Sequence, residues 1–456
     1  MKRWLLALCS LFSGAVFWVV WPVPVKPAFP LSVAFSCDIR GRLVPCGCFT
    51  GQLGGLTRIG SVLDGEVRED ALKLDVGDAL AGSEDYQRIE HRYVLAALAK
   101  LGYAAVNLGH REAALSLTQL QEMKALSPVP LLSANLLVKA TGTPLFETHR
   151  IVRRGAWRIA VVGVMDSRLS PEALGEGLVI EPMQSALARL LPRLKKEADF
   201  VVLLAFTDET ALEVLAGEFY ELDLILGGKV AQPAQHLIRE NRSWIFYTTN
   251  QARALGLMEV TLHAPSKMSV QNAEVLLMHE RIAQAEDIQA LAAAYRDEVR
   301  RTRLNVDDPV QPNRVAGLKH GATFVGSGSC LDCHANAARS WAGSGHARAF
   351  RPLVERGADA DPSCLSCHTV GFGSESGYRR ADAGAKLMDA GAKLTNVGCE
   401  SCHGPGSLHV AQRVAGVAAP VKFRTLGAGD CQSCHFGEFS RPFSWELFWP
   451  KVAHGK

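Results

Sequence analysis

The sequence predicts an α/β domain followed by a small, mostly irregular and helical segment. Three observations carry this prediction. Between residues 31 and about 263, short apolar runs alternate with helically patterned stretches. Beyond residue 320, cysteine pairs recur, and glycine, serine and alanine take the place of long apolar runs. The 456 residues exceed one ordinary core, so two domains are expected.

The α/β reading rests on "LSVAFS", "ALKLDVGDA", "YAAVNLG", "PVPLLSANL", "RIAVVGVM", "DFVVLLAF", "LDLILGG" and "SWIFYTTN". These are short, β-rich and bounded by Gly, Asp and Asn turns. Continuous apolar runs of this kind predict strands buried on both faces. "DYQRIEHRYVLAALAKL" and "MQSALARLLPRLKKEA" show helical spacing between them. "EVTLHA" and "SVQNAEVLLM" read as closing strands.

Hydrophobic residues make up 48% and charged residues 21%, with a net charge of +3. That balance is globular and gives no basis for nucleic-acid binding. At the N-terminus, Lys2 and Arg3 precede "WLLALCSLFSGAVFWVVW", residues 4 to 21, which carries no charge. Its length is at the lower limit of a bilayer span. No small-x-small cleavage site follows in "PVPVKPAFP", so an uncleaved transmembrane anchor over 1–28 is favoured over a signal peptide. Leu8 is too bulky to make Cys9 a lipoprotein cysteine. The basic flank keeps the N-terminal end cytoplasmic, and either reading exports the rest to the periplasmic side of the inner membrane.

The strongest chemical signal is a fourfold C-x-x-C-H pattern. It occurs at Cys330, Cys333, His334; Cys364, Cys367, His368; Cys399, Cys402, His403; and Cys431, Cys434, His435. In this pattern two thiols add across haem vinyl groups and the histidine becomes an axial iron ligand. A histidine after every pair argues against zinc knuckles or redox dithiols. Four covalent haem c groups are expected. The motifs start 34, 35 and 32 residues apart, a segment too short of apolar side chains to fold around them alone. Haem itself would supply the filling.

Four other histidines lie in this segment, His320, His346, His409 and His454, and the one methionine is Met388. Bis-histidine ligation with low potentials follows as the expectation. "CESCHGPGSLH", "SWAGSGHARAF" and "FWPKVAHGK" resemble the cytochrome c-552/554 family over about residues 320 to 456. The resemblance implies an irregular and helical tetrahaem module with closely packed haem pairs that relays electrons.

The first domain resembles the metallophosphoesterase domain of the 5′-nucleotidase family, which implies a layered β-sandwich with flanking helices. That family's motifs hold two metal ions that activate water against a phosphoester. Here Asp38-Ile-Arg40 stands for D-x-H, Gly77-Asp78 is kept, and Gly109-His110-Arg111-Glu112 stands for G-N-H-E. Ser133-Ala134-Asn135 is kept, Phe206 replaces a histidine, and Gly227-Gly228-Lys229 has lost two. Asp38, Asp78 and His110 are the residual positions, too few for a dinuclear centre. The fold is expected without the reaction.

Cys37, Cys46 and Cys48 flank Asp38 in a glycine-rich loop before "GGLTRIGSVL", which should begin a helix. A disulfide, a redox-active thiol near a helix N-terminus, and a site for an additional soft metal ion all fit. The loop also resembles that of a group of exported 5′-nucleotidase-like proteins, which implies redox chemistry over hydrolysis.

"AEDIQALAAAYRDEVRRTRL" places Ile288, Leu291, Tyr295 and Val299 on one helical face, a stiff connection that "NVDDPVQPNRV" then breaks. The division expected is 1–28 anchor, 29–280 nucleotidase-like domain, 281–315 helical linker and 316–456 tetrahaem domain. The leading functional reading is a membrane-anchored electron-transfer protein or oxidoreductase with periplasmic or membrane redox partners. A phosphoesterase with an appended cytochrome, and a docking domain on a cytochrome, are the other two.

Overall fold

The computed structural model describes residues 26–45, 52–249, 251–302, 321–379, 392–423, 425–436 and 442–454. Residues 4–21, Cys46, Cys48, His320 and Met388 lie outside these. No helix among the described residues is long and apolar enough to cross a membrane.

Two six-stranded sheets form the first domain. One runs in the order Lys267–Leu277, Ala254–Ala264, Phe29–Ser36, Leu72–Asp75, Ala105–Asn107, Leu131–Leu132. The other runs Ile238–Glu240, Ser243–Tyr247, Leu224–Gly228, Phe200–Phe206, Trp157–Met165, His149–Arg154. In both, the inner strands are parallel and antiparallel strands close at least one side. Residues of Phe200–Phe206 are buried throughout, as its unbroken apolar run requires.

The sheets pack face to face. Phe35 of one meets Phe246 of the other edge-on, with ring centroids 5.6 Å apart. Asn107 ties their ends: its Nδ2 donates to the carbonyls of Val76 and Val164, each at 2.8 Å. Helices Met183–Glu197 and Glu209–Glu218 cover the outer face of the second sheet through Leu187, Leu191, Leu212 and Leu215.

Several elements escape the sequence patterns. "HRIVRR" is the edge strand His149–Arg154; it pairs on one side only and buries only Val152. Its charges belong on an edge and hide its period. Helix Glu209–Glu218 starts where Asp208 accepts the Ala211 N–H at 3.0 Å. The helix expected after the cysteine loop is Leu56–Gly65.

The C-terminal segment is made of short helices, and its largest buried apolar cluster is Phe350, Leu353, Ala358, Leu365 and Tyr378. Helix Glu286–Arg301 joins the two parts. It buries Ile288, Ala292, Tyr295 and Val299 against the first domain. Its other side reaches the second. Arg296 donates to the Arg356 carbonyl at 3.0 Å, and Arg300 to the Gly357 carbonyl at 3.1 Å and the Asp359 carboxylate at 3.0 Å.

Candidate functional site

All eight cysteines of the C-x-x-C-H motifs line one cavity of about 1590 Å³. That exceeds the roughly 300–1,000 Å³ of a pocket for one small ligand. The cavity also holds His334, His368, His403 and His435, with His346, His409 and His454. Imidazoles face one another across it in three pairs. Ring centroids are 6.2 Å apart for His334 and His409, 6.0 Å for His346 and His435, and 5.8 Å for His403 and His454. Two imidazoles sharing one metal through bonds of about 2.0–2.1 Å place their centroids roughly 6 Å apart.

Backbone carbonyls orient several of these rings. Nδ1 of His409 donates to Val421 O at 2.8 Å, Nδ1 of His454 to Val452 O at 2.9 Å, and Nδ1 of His368 to Ala349 O. A ring whose Nδ1–H is so engaged presents Nε2 as a ligand. The residues present therefore fit haem.

Motifs one and three are knitted together. Cys330 and Cys399 are electrostatic neighbours. Buried Glu400 accepts the N–H groups of Val325, Gly326 and Gly406 at 2.7–3.1 Å. Ser327 Oγ accepts the Cys399 N–H at 3.1 Å. Nothing in the sequence pattern marks Glu400, since the positions between the two cysteines of C-x-x-C take any residue type.

The second site is the carboxyl edge of the two sheets, where ligands bind in open α/β folds. The turns after Phe29–Ser36, Leu72–Asp75 and Leu224–Gly228 place Asp38, Asp78 and Lys229 there, each at positive φ. Cations of the chain itself take these carboxylates. Arg40 forks onto Asp38, and Arg111 reaches Asp78 with its guanidinium Nε 3.6 Å from Oδ2 and its backbone N–H donating to Oδ1 at 2.9 Å. Lys229 Nζ lies 3.0 Å from Asp166 Oδ2. Arg168 bridges Asp166 and Asp208. His110 donates from Nε2 to the Asp166 backbone carbonyl at 2.8 Å, so that nitrogen is already engaged.

Burial pushes the Asp38 carboxyl up despite Arg40 beside it. Burial and then Glu112 push Asp78 up. At Asp166 burial opposes ionisation, but bonds from Arg168 and Lys229 outweigh it and hold the carboxyl below the usual range. Among the described residues no group of three or more His, Cys, Asp or Glu side chains is arranged to hold a metal. Glu112, the last residue of Gly109–Glu112, joins this network by accepting the Gly109 and Leu80 N–H groups at 2.8 and 2.7 Å. Asp166 and Arg168 complete it, and they lie in none of the motifs read from the sequence.

Cys37 does not face solvent at this edge. Its Sγ is buried 4.0 Å from the Gly77 carbonyl, in the space a Cβ on Gly228 would need. Burial, with Asp38 next, raises its thiol well above the usual range and holds it protonated. The segment from Gly41 to Pro45, which leads toward Cys46 and Cys48, lines the haem cavity.

A family model for cytochrome c554 and c-prime matches residues 329–404, which include the first three motifs. Cytochrome c-554 of Nitrosomonas europaea is 36% identical over 104 residues, 20% of this chain and 41% of that protein. A 5′-nucleotidase of Vibrio cholerae is 27% identical over 275 residues, 52% of this chain and 48% of that protein. The chain thus spans less than half the length of these curated relatives. The 5′-nucleotidase precursor of Thermus thermophilus superimposes with a TM-score of 0.53 at 19% identity, over 59% of each chain. The chain therefore combines a 5′-nucleotidase/metallophosphoesterase-like domain with a C-terminal domain of the cytochrome c554 type, which implies covalently bound haem c.

Proposed function

We propose that this chain is a tetrahaem electron-relay protein of the periplasmic side of the inner membrane, held there by residues 4–21. One haem c joins each C-x-x-C-H motif, exchanging single electrons with periplasmic or membrane redox partners. The observation that carries this reading is the set of three facing imidazole pairs, at 5.8–6.2 Å, across one cavity lined by every motif cysteine. The motif histidines pair with His409, His346 and His454, in the order His334, His435 and His403. His320 is the remaining distal histidine proposed.

The nucleotidase-like domain keeps its fold and no longer hydrolyses phosphoesters. Ion pairs at Asp38, Asp78 and Asp166 support this, since a metal would have to displace Arg40, Arg111 and Lys229. Cys46 and Cys48 form the thiol site that exchanges electrons with the haems, with or without a bound soft metal. The approach of Gly41 to Pro45 along the cavity wall supports that placement. Cys37, buried and protonated, packs the loop's base.

Elemental analysis of the haem-loaded protein, with a phosphodiesterase assay, tests the reading. Four haem irons per chain, no stoichiometric Mn or Zn, and no turnover are expected. Two Mn or Zn ions with turnover would establish the hydrolase reading instead.

A further inference from the structure

We propose that the haem joined to Cys364 and Cys367 is shared between the two domains, and that Tyr295 is its hydrogen-bond donor from the nucleotidase-like side. This inference rests on the haem reading above and extends it to one pocket.

The cavity that receives the motif cysteines is not closed by the C-terminal segment alone. Gly41 to Pro45, Glu90 and the helix face carrying Ala292, Tyr295 and Arg296 form one of its walls. The second motif lies at that wall. Its Asp361 and Cys364 are electrostatic neighbours of both Tyr86 and Tyr295. Residues 356–359, just before it, are pinned to helix Glu286–Arg301 by Arg296 and Arg300. Asp361 in turn caps the helix Pro362–His368, accepting the Ser363 N–H at 3.0 Å. The motif's position relative to the first domain is thus fixed from both sides.

Tyr295 is 3% exposed, and its hydroxyl has no hydrogen-bond partner among the described residues. Buried hydroxyls without partners are rare, because they forfeit hydration with nothing in return. This one belongs to a cavity-lining side chain. Haem carries two carboxylates on its rim, and a phenol O–H donates well to a carboxylate. Arg42 and Arg296 line the same wall and supply positive charge. Glu90 and Asp361 also face it; burial raises both, which reduces the negative charge that a haem carboxylate meets.

The test uses the full haem-loaded chain and its Tyr295→Phe variant, with midpoint potentials resolved haem by haem and resonance Raman of the haem carboxylate modes. Losing the donor leaves the carboxylate more negative, which favours ferric iron. One of four potentials should fall, one carboxylate mode should move, and haem content should stay unchanged. Arg296→Gln should lower the same potential. In a Cys364→Ser, Cys367→Ser background, Tyr295→Phe should change none of the remaining potentials. Four unchanged potentials, or a shift that persists without the second motif, overturns this inference alone. A wild-type chain with no haem at Cys364 and Cys367 overturns it together with the reading it rests on.

Discussion

Arg40 closes on Asp38 through two parallel hydrogen bonds, Nε to Oδ1 at 2.5 Å and Nη2 to Oδ2 at 2.7 Å. The carboxylate that a metal would bind already holds a cation two residues away. Asp38 is buried and Arg40 is partly exposed, so solvent weakens the pair without cancelling it. Arg40→Ala should cost about 1–3 kcal/mol, because it leaves a buried carboxyl unpaired. Urea unfolding checks this; a variant as stable as wild type would show that the pair is incidental.

Cys37 and Gly228 compete for one volume. A Cβ on Gly228 would lie 1.8 Å from Cys37 Sγ. Gly228→Ala should destabilise by about 1–3 kcal/mol through overpacking, and Cys37→Ala should rescue most of that in the double variant. Additive effects would place the thiol elsewhere. Cys37→Ala alone should leave haem reduction unchanged.

Each distal histidine should open one haem. His409→Ala, His346→Ala and His454→Ala should each convert one six-coordinate low-spin haem into a carbon-monoxide-binding form. Combining His409→Ala with loss of Cys330 and Cys333 should add no second open haem. If His409→Ala opens the haem of another motif, the pairing of His334 with His409 is wrong.

Glu400 holds three backbone N–H groups with one carboxylate. Glu400→Ala leaves them without that acceptor and should cost about 2–3 kcal/mol or more. The loss should appear first as weaker coupling in the spectra of the haems at motifs one and three, because Glu400 ties motif three to the backbone just before motif one.

His91 sets one component of the acid response. Burial lowers its pKa to about 4. The unfolded imidazole titrates near 6.5, so between these values the unfolded chain binds the extra proton. Stability from this group is present above pH 6.5 and is lost as pH falls toward 4, about 3 kcal/mol in all. His91→Gln should remove that part of the slope in unfolding measured from pH 7 to 4. An unchanged slope would show that His91 is not buried neutral.

Much of this is legible in the sequence. Unbroken apolar runs such as "VVLLAF" announce strands buried on both faces, and the spacing of Ile288, Tyr295 and Val299 announces the packed helix. The C-x-x-C-H motifs name their own chemistry. The partner of each histidine is not legible, because His334 and His409 are brought together by folding across many residues. The same holds at the degenerate edge. The loss of histidines can be read from the motifs, but Arg168 and Lys229 converging on Asp166 cannot, since the turns after different strands deliver them. Cys37 reads as a member of a reactive loop; its thiol turns inward because it sits at the end of a strand whose side chains are buried.

Four covalent haems, one per motif, around a shared cavity are the core of the proposed relay. Intact mass of the haem-loaded chain reads their number, for wild type and for four variants in which one motif's cysteines become serine. Four haem additions are expected in wild type and three in every variant. Fewer than four in wild type, or a variant that keeps the wild-type number, would contradict the relay as proposed.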